Sequence, residues 1–369
     1  MYLVIAMIAA AIAGIIYFMI RVQRFTFVKK IKEKNRFLGW IMGIPILALI
    51  IVPYALNNVM AAVVVLIHLL AFMVICDIAG FIANKILKRS RTRYYAGAAA
   101  FVITFVFLAI GEFCARHVWI TRYDIDTAKN VGDGVYIAAL SDSHLGYTCS
   151  GKKFAREMEK LQEYSPDMVF IIGDFVDDDT PREDMEIACD ALGKLKTKYG
   201  VYFVYGNHDR GYYRYREFNE YDLLIKLRKN NVIILEDKLE DIVLNADNAA
   251  ETAFLTLIGR KDRSMSGRMS ASELMKAADP SVFTIMLDHQ PNDYDNEAAA
   301  GPDLVLSGHT HGGQMFPVNL IGQALGANDR HYGLERRANT DFIVTSGIAE
   351  WAIPFKTCTT SEIILLHIH

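Results

Sequence analysis

Five short apolar runs in the C-terminal two thirds of this 369-residue chain each end in residues able to bind metal ions. Val135–Leu140 leads into Asp142-Ser143-His144, and Met168–Ile172 into Gly173-Asp174, with Asp177 soon after. Val201–Tyr205 leads into Gly206-Asn207-His208-Asp209, and Val282–Leu287 into Asp288-His289. Leu304–Leu306 leads into Gly308-His309-Thr310-His311-Gly312-Gly313. Five of the chain's ten histidines sit at these ends. Imidazole suits zinc, iron and similar ions, carboxylate and amide oxygens suit harder ions such as manganese, and no cysteine is in the set. Asp142, His144, Asp174, Asn207, His289, His309 and His311 are more ligands than one ion takes, which points to two. Two ions about 3.5–4 Å apart clamp a phosphoryl group for displacement, and water held between them becomes a hydroxide nucleophile near neutral pH. Residues two apart, as in Asp142/His144 and His309/His311, can aim at one region from an extended strand end. Any one of these histidines alone is more often a surface or satisfied core residue, but five blocks in this order are not.

In order, Asp142-x-His144, Gly173-Asp174, Gly206-Asn207-His208-Asp209, His289 and Gly308-His309-Thr310-His311 resemble the five signature blocks of the calcineurin-like metallophosphoesterases. The run Gly308–Gln314 is similar to the membrane-associated bacterial branch of YkuE- and YaeI-like phosphoesterases, which resembles the animal transmembrane protein with a metallophosphoesterase domain. The resemblance covers residues 133–369 and implies an α/β fold, a four-layer sandwich of two mixed β-sheets flanked by helices. It implies two divalent metal ions (Mn, Fe or Zn), with Asp142, His144 and His311 on one, Asn207, His289 and His309 on the other, and Asp174 bridging. His208 would face the substrate as proton donor or phosphoryl stabiliser, with Asp209 orienting its ring. Pro354–Cys358 stands where many relatives carry arginine, so substrate contacts there differ while the metal ligands remain.

The elements that must position these residues follow from the apolar pattern. Strand-like runs alternating with amphipathic segments (Lys152–Tyr164, Arg182–Lys198) argue for an α/β domain whose sheet is covered on both faces. Ligands in such sheets bind beyond the carboxyl ends of the strands. Asp177, Asp178 and Asp179 read as a solvated acidic turn. Tyr212, Tyr213 and Tyr215, with Arg210, Arg214 and Arg216, read either as substrate contacts or as a self-packed loop.

The N-terminal third is of another kind. No charged residue occurs from Met1 to Ile20, and Asp77 is the single charged side chain from Phe37 to Asn84. At about 20 apolar residues per bilayer crossing, four transmembrane helices are expected, at about 2–20, 38–56, 59–83 and 95–115. That excludes disorder and a purely soluble enzyme. The basic segments Arg21–Phe37 and Lys85–Arg93 should be cytoplasmic. The catalytic domain is then extracytoplasmic on a multi-pass cell-membrane protein, and the first span reads as an anchor rather than a cleaved signal. Asp77 is read as lying near the cytoplasmic interface, in reach of water. The expected organisation is a transmembrane region over 1–116, a connector over 117–133 and the catalytic domain over 134–369.

Residues 1–116 carry a net +10 within a chain of net −3, leaving −13 to the remainder. An acidic domain is a poor partner for nucleic acid, which binds basic faces through counterion release. The five cysteines show no CxxC, so no disulfide framework is indicated. The expected activity is hydrolysis of a phosphate ester or pyrophosphate by metal-bound hydroxide, on a small-molecule or lipid-linked, membrane-proximal substrate. Two alternatives stand beside it. One is a UDP-2,3-diacylglucosamine pyrophosphatase-type activity in lipid A biosynthesis, which conflicts with an extracytoplasmic domain. The other is a transporter or sensor bundle with a phosphoesterase-like binding module. Asp174→Asn separates the last from an enzyme, since only an enzyme would lose turnover.

Overall fold

Hydropathy and cap residues divide the N-terminal third into helices. The structure, a computed structural model, describes residues 2–88, 93–146, 148–210, 215–245, 252–316, 319–320, 322 and 326–369. Its first unit, Met1–Ile110, contains α1 (Tyr2–Val22), α2 (Thr26–Lys34), α3 (Arg36–Ile41), α4 (Gly43–Ala55), α5 (Val59–Ile86) and most of α6 (Tyr95–Arg116). Asn58 starts α5 by accepting the Ala61 N–H at 2.8 Å, an N-cap that satisfies one of the orphan donors of a helix start. Arg36–Ala55, Val59–Ile86 and Tyr95–Arg116 are each long and apolar enough to cross a membrane. A fourth candidate is Ala9–Val22 with Thr26–Lys34, a pair bent by 80°. Phe18, Val22, Val28, Leu69, Met73 and Ala100 form the core of this unit.

The second unit, Gly111–His369, begins inside α6 and holds two six-stranded sheets. The first combines β1 (Val118–Ile125), β2 (Val135–Leu140), β3 (Met168–Ile172), β4 (Gly200–Val204), β5 (Val232–Ile234) and β12 (Ser361–Ile368), in the order β1-β12-β2-β3-β4-β5. The second combines β6 (Lys238–Leu244), β7 (Ala253–Gly259), β8 (Phe283–Leu287), β9 (Leu304–Ser307), β10 (Gly333–Arg337) and β11 (Thr340–Val344), in the order β10-β11-β9-β8-β7-β6. Both are mixed: β2, β3, β4 and β5 are parallel neighbours, as are β7, β8, β9 and β11, while β12 runs antiparallel to β2 and β6 to β7.

Alternation along the strands builds four layers. Ile137, Phe170, Val204, Leu255, Ile285 and Leu306 meet between the sheets. The opposite residues of the first sheet, among them Leu140, Ile171 and Phe203, pack on α7 (Gly151–Gln162), α8 (Arg182–Leu192) and α9 (Glu220–Lys229). Those of the second, Ile258, Met286 and Val305, pack on α10 (Ala271–Met275) and α11 (Tyr294–Ala300). This is the expected α/β sandwich of two mixed sheets flanked by helices. The segment 117–133, read as a connector, contains β1, which pairs in parallel with β12 from Val118↔Ser361 to Ile125↔Ile368. Its charged residues Arg122 and Asp124 suit an edge strand and interrupt the apolar run that sequence reading looks for.

Candidate metal centre

The carboxyl ends of β2, β3, β4, β8 and β9 release the chain into the turns that carry the predicted ligands. Turning so sharply puts Asp142, His144, Asp174, His309 and His311 at φ values of 54°, 36°, 50°, 68° and 49°. Non-glycine residues held there cost about 1–3 kcal/mol each and concentrate at functional sites. Two glycines make room. A Cβ on Gly173 (φ 74°) would lie 2.7 Å from His289 Nδ1, and one on Gly206 would lie 2.2 Å from Asp174 Oδ1.

Three sets of side chains then converge, each with ligand atoms within 4.8 Å of one another: Asp142, His144 and His311; Asp174, His289 and His309; and His144, Asp177 and His208. Asp174 Oδ2 stands between the first two sets, 3.1 Å from His289 Nε2 and 3.7 Å from His144 Nε2. Its Oδ1 accepts the His208 backbone N–H at 2.8 Å. Asp142 accepts the His309 N–H at 2.9 Å and lies 3.6 Å from His311 Nε2. Asn207 Oδ1 accepts from Gln290 Nε2 at 3.4 Å. A further group, Asp124, His367 and His369, is half-exposed along β1 and β12 and belongs to none of these strand ends.

The donor chemistry fits divalent cations. His289 is fully buried, and its Nδ1 meets the Ile172 carbonyl at 2.8 Å. That contact makes Nδ1 a donor and leaves Nε2 facing Asp174 Oδ2 at 3.1 Å. His311 Nε2 likewise faces His144 Nε2 at 3.2 Å. Lone pairs aimed at one another in a buried site call for a cation between them. Burial pushes the His311 ring down to about 3 and also lowers His309, so both are neutral, the form that ligates. Burial by itself would raise Asp174, but the charge and hydrogen bond of His289 hold it well below the usual carboxylate range. Asp142 is lowered against its burial by His311 and His289.

One orienting role differs from the reading by sequence. Asp209 does not orient His208. It is fully buried and accepts three backbone N–H groups, from Gly206 at 2.7 Å, Phe175 at 2.9 Å and Val176 at 3.1 Å. The partner of His208 Nδ1 is Asp177 Oδ1 at 2.8 Å, while Asp177 Oδ2 meets His144 Nδ1 at 3.0 Å. Asp177 is therefore no solvated turn residue but a bridge between two imidazoles. Its signal was its place three residues after Asp174, which nothing in sequence distinguishes from the Asp178 and Asp179 that follow. Burial alone lowers the His208 ring, yet Asp177, with Asp174 behind it, lifts it to about 9. Trp351, half-exposed, stands 5.5 Å from His208 between ring centroids and was also missed.

Arg210 and Arg216, after the His208 block, are scaffold. Arg210 pairs with Glu236 at 2.5 Å, and buried Arg216 donates to the Asp209 carbonyl at 3.1 Å. Tyr212, Tyr213 and Arg214 lie outside the described residues, as do Arg89 and Arg91 of the second basic segment. Lys356 is wholly buried and donates to the carbonyls of Ser346 at 2.6 Å and Gly347 at 3.2 Å. Cys149 is buried, its thiol pushed up to about 12 by burial.

A two-sheet sandwich with His/Asp clusters at its strand ends defines the metallophosphoesterase class. Residues 135–313 match the family described as calcineurin-like phosphoesterase. It is 30% identical to the transmembrane protein with metallophosphoesterase domain of Danio rerio, over 76% of this chain and 66% of that protein. It is 32% identical to the protein of the same description from Bos taurus, over 62% and 52% respectively. The uncharacterized metallophosphoesterase YkuE of Bacillus subtilis is 24% identical over 63% of this chain and 78% of its own length. The chain thus spans about half to two thirds of the length of these animal relatives.

Proposed function

We propose that this protein is a membrane-anchored, dinuclear metal-dependent phosphohydrolase acting on a phosphate ester or pyrophosphate. The observation that carries the reading is the placing of Asp174 between two His/Asp sets, with the Asp177–His208 pair beside them. Asp142, His144 and His311 would hold one divalent cation, Asn207, His289 and His309 the other, and Asp174 both. Bound there, the two cations supply Lewis acidity to the phosphoryl group and activate water for its displacement.

The chain's own residues do the rest. His208, held on Nδ1 by Asp177, keeps a proton through neutral pH and presents Nε2 to the leaving oxygen. A positioned imidazole of this kind contributes about 10²–10⁴-fold as a general acid. Asp209 fixes the turn that carries Asn207 and His208 by tying Gly206, Phe175 and Val176 to one carboxylate. Trp351 walls the His208 side of the site. The apolar helices of the first unit support a substrate at a membrane surface, where tethering raises effective concentration. The basic segments Arg21–Phe37 and Lys85–Arg93 support an extracytoplasmic side for the catalytic domain.

The test is hydrolysis of bis-p-nitrophenyl phosphate and p-nitrophenyl phosphate by the detergent-purified chain, stripped of metal and resupplied with Mn²⁺ or Zn²⁺. Metal-dependent turnover, abolished in Asp174→Asn and reduced at least 100-fold in His208→Ala on the scale of general-acid catalysis, is the expected result. Turnover that ignores both substitutions and metal overturns the reading.

A further inference from the structure

A second charged site lies in the first unit. Asp77, near the end of an otherwise uncharged apolar stretch, has a side chain only 8% exposed. Arg21 Nε meets it at 2.7 Å, Arg24 Nη1 at 3.8 Å, and the Tyr17 hydroxyl donates to it at 2.6 Å. So the carboxylate does not reach out to water. It fixes two guanidinium groups, and aromatic faces hold them from the other side: Arg21 lies over Tyr17 at 5.0 Å and Arg24 over Tyr94 at 4.6 Å. A third guanidinium, Arg93, faces the same space, and among the described residues no carboxylate pairs with it.

These groups line a cavity of about 230 Å³. Three cations against one anion leave it with a net charge of about +2. The cavity is also lined by Tyr95 and Ala96, the first residues of α6. That 22-residue helix has no acidic residue in its first turn, so the positive end of its dipole adds to the field. Orphan N–H groups at a helix start are anion donors, and a guanidinium fork matches phosphate oxygens two at a time. The volume falls below the roughly 300–1,000 Å³ of pockets for drug-sized ligands, which fits a single headgroup rather than a whole nucleotide. An orientation signal needs only charge in a loop. It does not call for arginines locked around a buried carboxylate, nor for a third one aimed at the same space.

We propose that this cavity binds a phosphate-bearing anion, either the headgroup of an acidic phospholipid or a free phosphate group. Asp77 organises Arg21 and Arg24, and Arg93 with the start of α6 closes on the ligand. The site lies in Met1–Ile110, so it stands or falls independently of the phosphohydrolase reading.

The experiment compares the detergent-purified full chain with Arg93→Gln and, as a charge control outside the cavity, Lys85→Gln. Retention of phosphatidylglycerol and of phosphatidylcholine is counted by native mass spectrometry. Inorganic phosphate is titrated against thermal stability. Phosphate held at the metal centre is common to all three chains and cancels in the comparison. Arg93 is exposed, so its substitution leaves the fold intact, which matching circular dichroism verifies. Affinity for phosphatidylglycerol at least tenfold weaker in Arg93→Gln alone supports a lipid headgroup. The same loss for inorganic phosphate supports a free anion. Equal binding by all three chains, an equal loss in Lys85→Gln, or an equal loss for phosphatidylcholine overturns the proposal.

Discussion

Within the metal centre, the partly exposed Asp177 and the fully buried Asp209 have opposite work. Asp177 touches two imidazoles, whereas Asp209 touches backbone alone. Partners that orient metal-site imidazoles are worth about 10–100-fold in activity, so Asp177→Asn should lower kcat/KM by that factor with little loss of Tm. The pH profile separates positioning from simple damage. His208 is raised to about 9 chiefly by Asp177, so activity that needs its proton should persist through neutral pH and fall as pH rises through about 9. In Asp177→Asn that alkaline limb should move down toward the ordinary imidazole value. An unmoved limb would show that Asp177 does not set the state of His208. Asp209→Ala should do the reverse: it orphans three buried N–H donors at about 1–3 kcal/mol each, so stability falls first.

At the level of elements, the segment between β11 and β12 is pinned from beneath by Lys356. Gly347 sits in that segment so close to Asp142 that a Cβ on it would lie 2.7 Å from the Asp142 Cβ. Lys356 carries its ammonium into a fully buried position where burial pushes it down to about 8, against the pull of Glu350. In the unfolded chain the group returns to the ordinary lysine range. Between about pH 8 and 10.5 the unfolded state therefore binds more protons, and stability must rise with pH across that window. The gain is about 3 kcal/mol at 1.36 kcal/mol per pH unit. Chemical denaturation of wild type and Lys356→Met from pH 7 to 10 should show the wild type gaining on the variant. Parallel curves would mean that the ammonium is solvated.

For the whole molecule, the strain at five ligand positions and the facing lone pairs give the second unit a site that cations complete. Binding to the native state alone stabilises by about 2.7 kcal/mol at one hundred times Kd. Chelation should therefore lower the Tm of the Gly111–His369 unit and leave the helical unit's transition in place, with Mn²⁺ or Zn²⁺ restoring the loss. A fall in both transitions together would show that the two units unfold as one.

Much of this was legible in order and type alone. The five His/Asp/Asn blocks follow apolar runs directly, so their position at strand ends needed no tertiary information, and long uncharged stretches announce helices that suit a bilayer. Edge strand β1 was hidden because its alternating charged residues imitate a loop. The choice between Asp177 and Asp209 could not be read either. Both lie within three residues of a motif, and only the packing of the turn after β3 against the turn after β4 decides which carboxylate meets an imidazole and which meets backbone. Asp77 teaches the same lesson: its sequence neighbours are apolar, and its arginines come from the end of another helix. Local chemistry fixes which residues can act, but pairing across elements distant in sequence is set by tertiary packing, where burial decides which partner each charge must find.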